Sequence, residues 1–174
     1  MSRPLDLRSF IRDVPDFPKP GILFRDVPPL LGDPGALAAA VRALADPFRA
    51  AGVEKVMGIE SRGFVLGTPV ALELGTGFAL VRKAGKLPWR TRQVTYDLEY
   101  GTDTVEMHED ALRPGERVLI VDDLIATGGT AAAAVQLARD CGAEVVGCAF
   151  LIELSALEGR GRLGVEPIHV LVRY

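Results

Sequence analysis

A chain of 174 residues, 48% hydrophobic and 25% charged, has an ordinary globular composition and enough length for one domain with a sizeable core, which excludes a disordered or low-complexity chain. A net charge of −3 excludes a global basic field for nucleic acid or anionic lipid, so an anionic substrate must be held by local groups. No charged-then-apolar leader opens the chain and no apolar run reaches membrane-spanning length, so the expectation is a soluble, cytoplasmic protein.

Residues 5–14 read as a short amphipathic helix. The following PDFPKPGILFRDVPPLLGDP carries six prolines, which fix φ and remove donors, so an ordered, irregular segment is expected there. Asp33-Pro34 is a helix start, with Asp at the N-cap and Pro at the first helical position. That helix is predicted to reach about Ala51 and stop at Gly52, with Pro47 kinking it or loosening one turn. KVMGI (Lys55–Ile59) is a buried-type strand, ESRG a turn, residues 64–74 a helix and GFALVRK (Gly77–Lys83) a second strand. AGKLPWRTRQVT is basic, carries Gly and Pro and shows no clear period, so a mobile loop is expected over about residues 84–94. YDLEY and TVEMHE read as short strands around a turn at Gly101. RVLIVDD (residues 117–123) is an apolar strand ending in acid, followed after Gly128 by a helix to about Cys141. AEVVGCAFLIEL is another strand, residues 155–163 a short helix and PIHVLVRY a last strand.

Apolar strands alternating with helices predict an α/β fold, a central mostly parallel sheet flanked by helices. Ligands in such folds bind at the carboxyl ends of strands, where the motifs Glu60 to Gly63, Arg82-Lys83 and Asp122 to Thr130 all fall. Cys141 and Cys148 are expected to be buried free thiols in a reducing compartment rather than a disulfide. His108 and His169 have no metal-ligand partners at a useful spacing and are taken as structural.

VLIVDDLIATGGTAAAAV (residues 118–135) carries the sharpest chemistry. Helix N-terminal amides lack internal partners and carry partial positive charge. Gly128 and Gly129 leave them uncovered, and Thr127 and Thr130 add hydroxyl donors, so the loop is built to cradle a phosphate. It is neither a Walker A loop nor a dinucleotide fingerprint. Asp122 and Asp123 would repel a phosphate but accept well from sugar hydroxyls, which points to a ribose phosphate. The plainer reading is a strand end and an ordinary helix cap.

VLIVDDLIATGGT resembles the phosphoribosyl-pyrophosphate signature of type I phosphoribosyltransferases. FPKPGILFRDVPPLL, ESRGF, VRKAGKLP and YDLEYG resemble the adenine-using members of that family in order and spacing, over about residues 14–163. The resemblance implies a single domain over residues 1–174, with a small N-terminal hood at about 14–32 and the mobile loop at about 84–94. It implies transfer of a phosphoribosyl group from phosphoribosyl pyrophosphate to adenine, giving AMP and pyrophosphate in purine salvage, with Mg2+ held mainly through substrate and water and no direct protein ligand. It also implies a homodimer, with no nucleic-acid or membrane partner.

By position, the resemblance gives Ala126, Thr127, Gly128, Gly129 and Thr130 to the 5′-phosphate and Asp122 and Asp123 to the ribose hydroxyls. Glu60, Ser61 and Arg62 resemble the pyrophosphate loop, whose peptide after the acid is often cis in the family. Arg82, Lys83 and Lys86 resemble basic residues that help bind pyrophosphate, some across the dimer interface. The proline-rich segment resembles the family's hood, which implies that Phe24 stacks on adenine while backbone groups of Leu23 and Arg25 read its edge, and that Leu154 packs on the other face. Backbone donor and acceptor pairs of that kind discriminate a 6-amino from a 6-oxo purine. Glu99 resembles the proton-handling carboxylate, beside Tyr100. Other readings stay beside these: Phe24 as a hydrophobic staple, the cations as a solvated cluster, Glu99 as an exposed strand residue, Leu154 as core, and Trp89 as a lid anchor or a packing residue. Two alternative functions are a non-catalytic sensor of phosphoribosyl pyrophosphate on the same fold and a sibling transferase for a 6-oxo purine. One small acidic domain argues against the sensor.

Overall fold

The computed structural model describes residues 5–97 and 101–174. The first segment is not the expected helix. A single 3-10 turn over Leu7–Phe10 is capped by Asp6, and the chain then extends as β1 (Arg12–Pro15). A residue before proline is disfavoured in the α region, so Val14 extends and pairs with Phe24 of β2 (Leu23–Asp26) in an antiparallel ribbon. The proline-rich segment is therefore partly regular, and it continues into a short helix α1 (Pro28–Gly32).

Helix α2 (Pro34–Ala45) starts as predicted, with the Asp33 carboxylate accepting from the Ala36 amide at 2.8 Å. It ends six residues early rather than kinking. Pro47 cannot donate to the Ala43 carbonyl four residues back, and residues Asp46–Phe48 tighten into a 3-10 turn. His169 Nε2 donates to that carbonyl at 3.0 Å, which gives this histidine its structural role.

Among the described residues the main sheet has seven strands. β3 (Lys55–Ile59), β4 (Gly77–Lys83), β7 (Arg117–Ile125), β8 (Glu144–Glu153) and β9 (Ile168–Arg173) run parallel, in the order β4-β3-β7-β8-β9. β5 (Thr91–Asp97) and β6 (Thr102–His108) add an antiparallel edge beside β4. Alternation along the strands divides the core between the two faces. Val56, Leu119 and Val121 pack with α2 and α3 (Arg62–Leu74), while Met57, Val118 and Ile120 pack with α4 (Gly129–Asp140). Both faces are covered, so the parallel strands read as continuous apolar runs.

Two further expectations change. The loop expected over residues 84–94 extends only to Arg90, because Thr91 onward pairs with β6 from Thr91↔His108 to Asp97↔Thr102. Residues 155–163 form two 3-10 turns, Ser155–Leu157 and Gly159–Arg162, broken where Glu158 takes a φ of 51°. Cys141 and Cys148 are both buried and free. Among the described residues no helix is long and apolar enough to cross a membrane.

Candidate active site

The connection from β3 runs to one side, towards β4, and that from β7 to the other, towards β8. Between their carboxyl ends lies the crevice that such a reversal opens. A cavity of about 300 Å3 occupies it, walled by residues 59–62, Lys83 and residues 122–131. The acidic pair, the Thr-Gly-Gly-Thr loop and the Glu60 turn, far apart in sequence, are thus brought together.

The loop after β7 is shaped by Gly128, whose φ of 80° suits glycine and which caps α4 without a side chain. The first amides of α4 therefore stand at the cavity wall with no side-chain cap. A Cβ on Gly128 would overlap the Gly159 carbonyl, and one on Gly159 would overlap the Ala126 carbonyl. The Gly159–Arg162 turn is a backing plate for the loop, with Arg162 Nη1 donating to the Thr127 carbonyl at 3.4 Å. On the other side, Thr130 Oγ1 lies 2.9 Å from the Tyr96 hydroxyl.

The two aspartates have different surroundings. Asp123 is 6% exposed and accepts from Arg62 Nε, which links the two halves of the cavity wall. Asp122 turns an oxygen back onto the Asp123 amide at 2.8 Å. Burial, then the Asp123 charge, pushes the Asp122 carboxyl well above the usual carboxylate range. Gly63 permits this packing, since a Cβ there would lie 2.9 Å from Asp122 Oδ1.

The Glu60–Ser61 peptide is cis. The Glu60 carboxylate gathers cations: Arg82 Nε and Nη2 donate at 3.2 Å each, the Lys83 amide at 3.1 Å and Lys86 Nζ at 2.7 Å. Donation by Arg82, aided by Lys86, outweighs burial and holds the Glu60 pKa down at about 2. Lys83 Nζ pairs with Asp103 and donates to the Tyr96 hydroxyl at 2.9 Å. Arg82 and Lys86 converge on Glu60, and Lys83 itself lines the cavity.

In the hood, Phe24 stands edge-on to Phe17 with ring centroids 5.2 Å apart. The Arg62 guanidinium lies 5.9 Å from the Phe24 ring centre, so the hood borders the Glu60 turn. Leu23 is exposed, and the Arg25 side chain turns away to pair with Asp13 and stack at 3.8 Å on Tyr174. Leu154 is partly buried against the core that α2 and β9 share, and its amide donates at 3.0 Å to the carbonyl of Ile125, a residue of the cavity wall. Glu99 and Tyr100 lie outside the described residues. Sequence reasoning missed Tyr96, Asp103, Glu106 and Gly159. The first three sit on an edge hairpin whose polar alternation hides them, and Gly159 carried no motif.

Residues 32–164 match the phosphoribosyl transferase domain family. A curated adenine phosphoribosyltransferase from Syntrophotalea carbinolica is 52% identical over 169 residues, which span 97% of this chain and 99% of that protein. The crystal structure of adenine phosphoribosyltransferase from Rhodothermus marinus is similar at a TM-score of 0.92 and 56% identity, covering 97% of this chain and 96% of that one. The structure from Saccharomyces cerevisiae, complexed with D-2,5-dideoxy-2,5-imino-altritol 1,6-bisphosphate and adenine, gives a TM-score of 0.90 at 41% identity, over 95% of this chain and 96% of that one.

Proposed function

This chain belongs to the phosphoribosyltransferase family, and from that premise we infer that it transfers the phosphoribosyl group of phosphoribosyl pyrophosphate to adenine, releasing AMP and pyrophosphate. It is an enzyme of the glycosyltransferase kind. The observation that carries the assignment within this molecule is the cavity at the ends of β3 and β7, where an uncapped helix N-terminus faces Arg62 and a buried Asp123. The first is chemistry for a phosphate and the second for a sugar.

Residue roles follow by position. The loop over residues 126–130 holds the 5′-phosphate with its amides and the Thr127 and Thr130 hydroxyls. Asp123 accepts from the ribose hydroxyls, and Asp122 supports the same end from beneath. Ser61, Arg62, Lys83, Arg82 and Lys86 surround the leaving pyrophosphate, with Glu60 holding the last two cations in place. Phe24 stacks on adenine, beside Arg62, and the backbone of Leu23 and Arg25 reads the edge that separates a 6-amino from a 6-oxo purine. Glu99, beside Tyr100, handles the purine proton.

The transition state has ribosyl oxocarbenium character, so the charge leaving with pyrophosphate must be neutralised and water kept away. The segment from Ala84, carrying Lys86, is the proposed lid. Among the described residues no three His, Cys, Asp or Glu side chains converge on a metal position. The three carboxylates at the cavity are already engaged, Asp123 by Arg62, Glu60 by Arg82 and Lys86, and Asp122 by the Asp123 amide, so the residues fit a magnesium ion carried on substrate oxygens and water rather than in a protein cage. When bound, that ion neutralises diphosphate charge. The whole chain works as one domain, in the cytoplasm, and pairs as a homodimer.

The test is nucleotide formation from phosphoribosyl pyrophosphate, Mg2+ and each purine base in turn. AMP from adenine alone is the expected result. Nucleotide from a 6-oxo purine would overturn the hood assignment, and donor binding without product from any base would indicate a sensor.

A further inference from the structure

Among the described residues Glu106 is the most completely engaged carboxylate of the edge hairpin, and nothing in the reaction as derived uses it. It is 2% exposed, on β6, directly across from Arg82 of β4. Its Oε1 accepts from the backbone amides of Lys86 and Leu87, at 2.9 Å each. Its Oε2 accepts from Thr91 Oγ1 at 3.2 Å and Gln93 Nε2 at 3.0 Å. A buried carboxylate is tolerated only when its lone pairs are filled. Burial penalises the charge, yet the Leu87 amide, Gln93 and the neighbouring amides outweigh it and hold the carboxyl below its ordinary range.

All of those partners lie between β4 and the middle of β5. Glu106 thus folds the segment after Lys83 back onto the sheet, and the corner it grips is Lys86. From there two contacts reach the site: Lys86 Nζ to Glu60 at 2.7 Å, and the Lys86 carbonyl to Arg82 Nη1 at 3.2 Å. Lys86 is held from behind by Glu106 and in front by the residues that face the leaving group. A lysine stem has several free rotors, so an ammonium is placed reproducibly only if its backbone is.

We propose that Glu106 is a positioning residue that sets Lys86 at the pyrophosphate end of the cavity. The inference rests on the assignment of Lys86 to pyrophosphate. Charge and shape both matter to it. Four donors point at two oxygens, and glutamine has only one. In Glu106→Gln the charge that strengthens the bonds from the Lys86 and Leu87 amides is lost and one acceptor oxygen becomes an NH2 donor, so the grip on the corner weakens without a change of volume.

The experiment is a double-mutant cycle between Glu106→Gln and Lys86→Ala, read as KM for phosphoribosyl pyrophosphate, inhibition by pyrophosphate, and KM for adenine. Glu106→Gln is expected to weaken donor and pyrophosphate binding about tenfold, the size of one lost charged contact. The adenine KM stays within about twofold, because the hood lies outside the gripped corner. In the Lys86→Ala background Glu106→Gln should do nothing further to pyrophosphate binding. An additive effect there, or an equal rise in the adenine KM, would show a purely structural carboxylate and overturn the proposal. If Lys86→Ala alone leaves pyrophosphate binding unchanged, the assignment of Lys86 fails and the proposal falls with it. Should Glu106→Gln fail to fold, Gln93→Met removes one of the four donors and puts the same cycle to the test at smaller amplitude.

Discussion

Asp123→Asn separates the two jobs of that residue. Asparagine keeps the shape and removes the charge that faces Arg62 and, on the proposed function, the ribose hydroxyls. The Asp123 side chain is 9% exposed, but that of Arg62 is 43% exposed, so water can take up the guanidinium once the pair is broken. The folding cost is therefore nearer the ~1 kcal/mol of a solvated pair than the roughly 3–5 kcal/mol of a fully buried one. A hydrogen bond to a charged acceptor contributes about 1.5–3 kcal/mol, so losing it should weaken donor binding about ten- to hundredfold. The variant also takes away the Asp123 charge, the second cause of the raised Asp122 pKa after burial, so the Asp122 carboxyl should ionise at lower pH than in the parent. Calorimetric titration with phosphoribosyl pyrophosphate and Mg2+ reads the binding, and urea unfolding reads the fold. Donor affinity equal to the parent protein, or a collapse of the unfolding transition, would refute the assignment.

Phe24→Ala should weaken adenine binding by about 1–3 kcal/mol, the worth of one stacked base, with donor binding little changed; equal losses in both titrations would argue against stacking. Gly128→Ala forces a side chain into the left-handed region, at roughly 1–2 kcal/mol, and against the Gly159 carbonyl. Thermal unfolding should show the loss and donor KM should rise; a variant with parental Tm and KM would mean the loop is not backed as described. Glu60 has its pKa lowered from 4.5 to about 2, so its cation contacts contribute stability that is full above pH 4.5 and disappears as pH falls towards 2. The unfolding free energy gap between the parent and Glu60→Gln should close across that window, and a gap constant with pH would contradict it. Glu99→Gln should lower kcat by up to about 10²–10⁴-fold without raising the donor KM; an unchanged kcat would remove Glu99 from the mechanism.

What could be read from the sequence was what is local. The parallel strands announced themselves because both faces are covered, and the Asp33 cap and the Thr-Gly-Gly-Thr turn work through neighbours a few residues away. The misread elements depend on distant partners. Pro15 keeps Val14 out of the helical region, but it is pairing with Phe24 that makes it a strand residue, and Thr91 begins a strand because His108 lies opposite. Pro47 was visible as a disturbance, but its outcome turned on His169, which takes the freed carbonyl from across the molecule. The same holds within the site. The acidic pair was plain, while its division into an Asp122 turned back onto the neighbouring amide and an Arg62-bound Asp123 needs Gly63 and α3 to approach β7. Tyr96, Glu106 and Gly159 carry no local mark and act only through folding.

These contacts explain how a chain of net charge −3 can hold a polyanion. Arg62 rests on Asp123, Arg82 and Lys86 on Glu60, and Lys83 on Asp103. No cation at the cavity has to be buried bare, which would carry a desolvation cost of several kcal/mol. On the proposed function, pyrophosphate binds by exchange, drawing donors that already have a carboxylate. Its net gain is then the difference between two charged partners rather than the full attraction of a free cation. A difference of that kind keeps the product from being held as tightly as four bare cations would hold it. Glu60, with its pKa held down at about 2, stays ionised and preserves that balance across the neutral range. On the proposed function the acids around the cavity therefore do more than neutralise the protein: they set how readily pyrophosphate leaves.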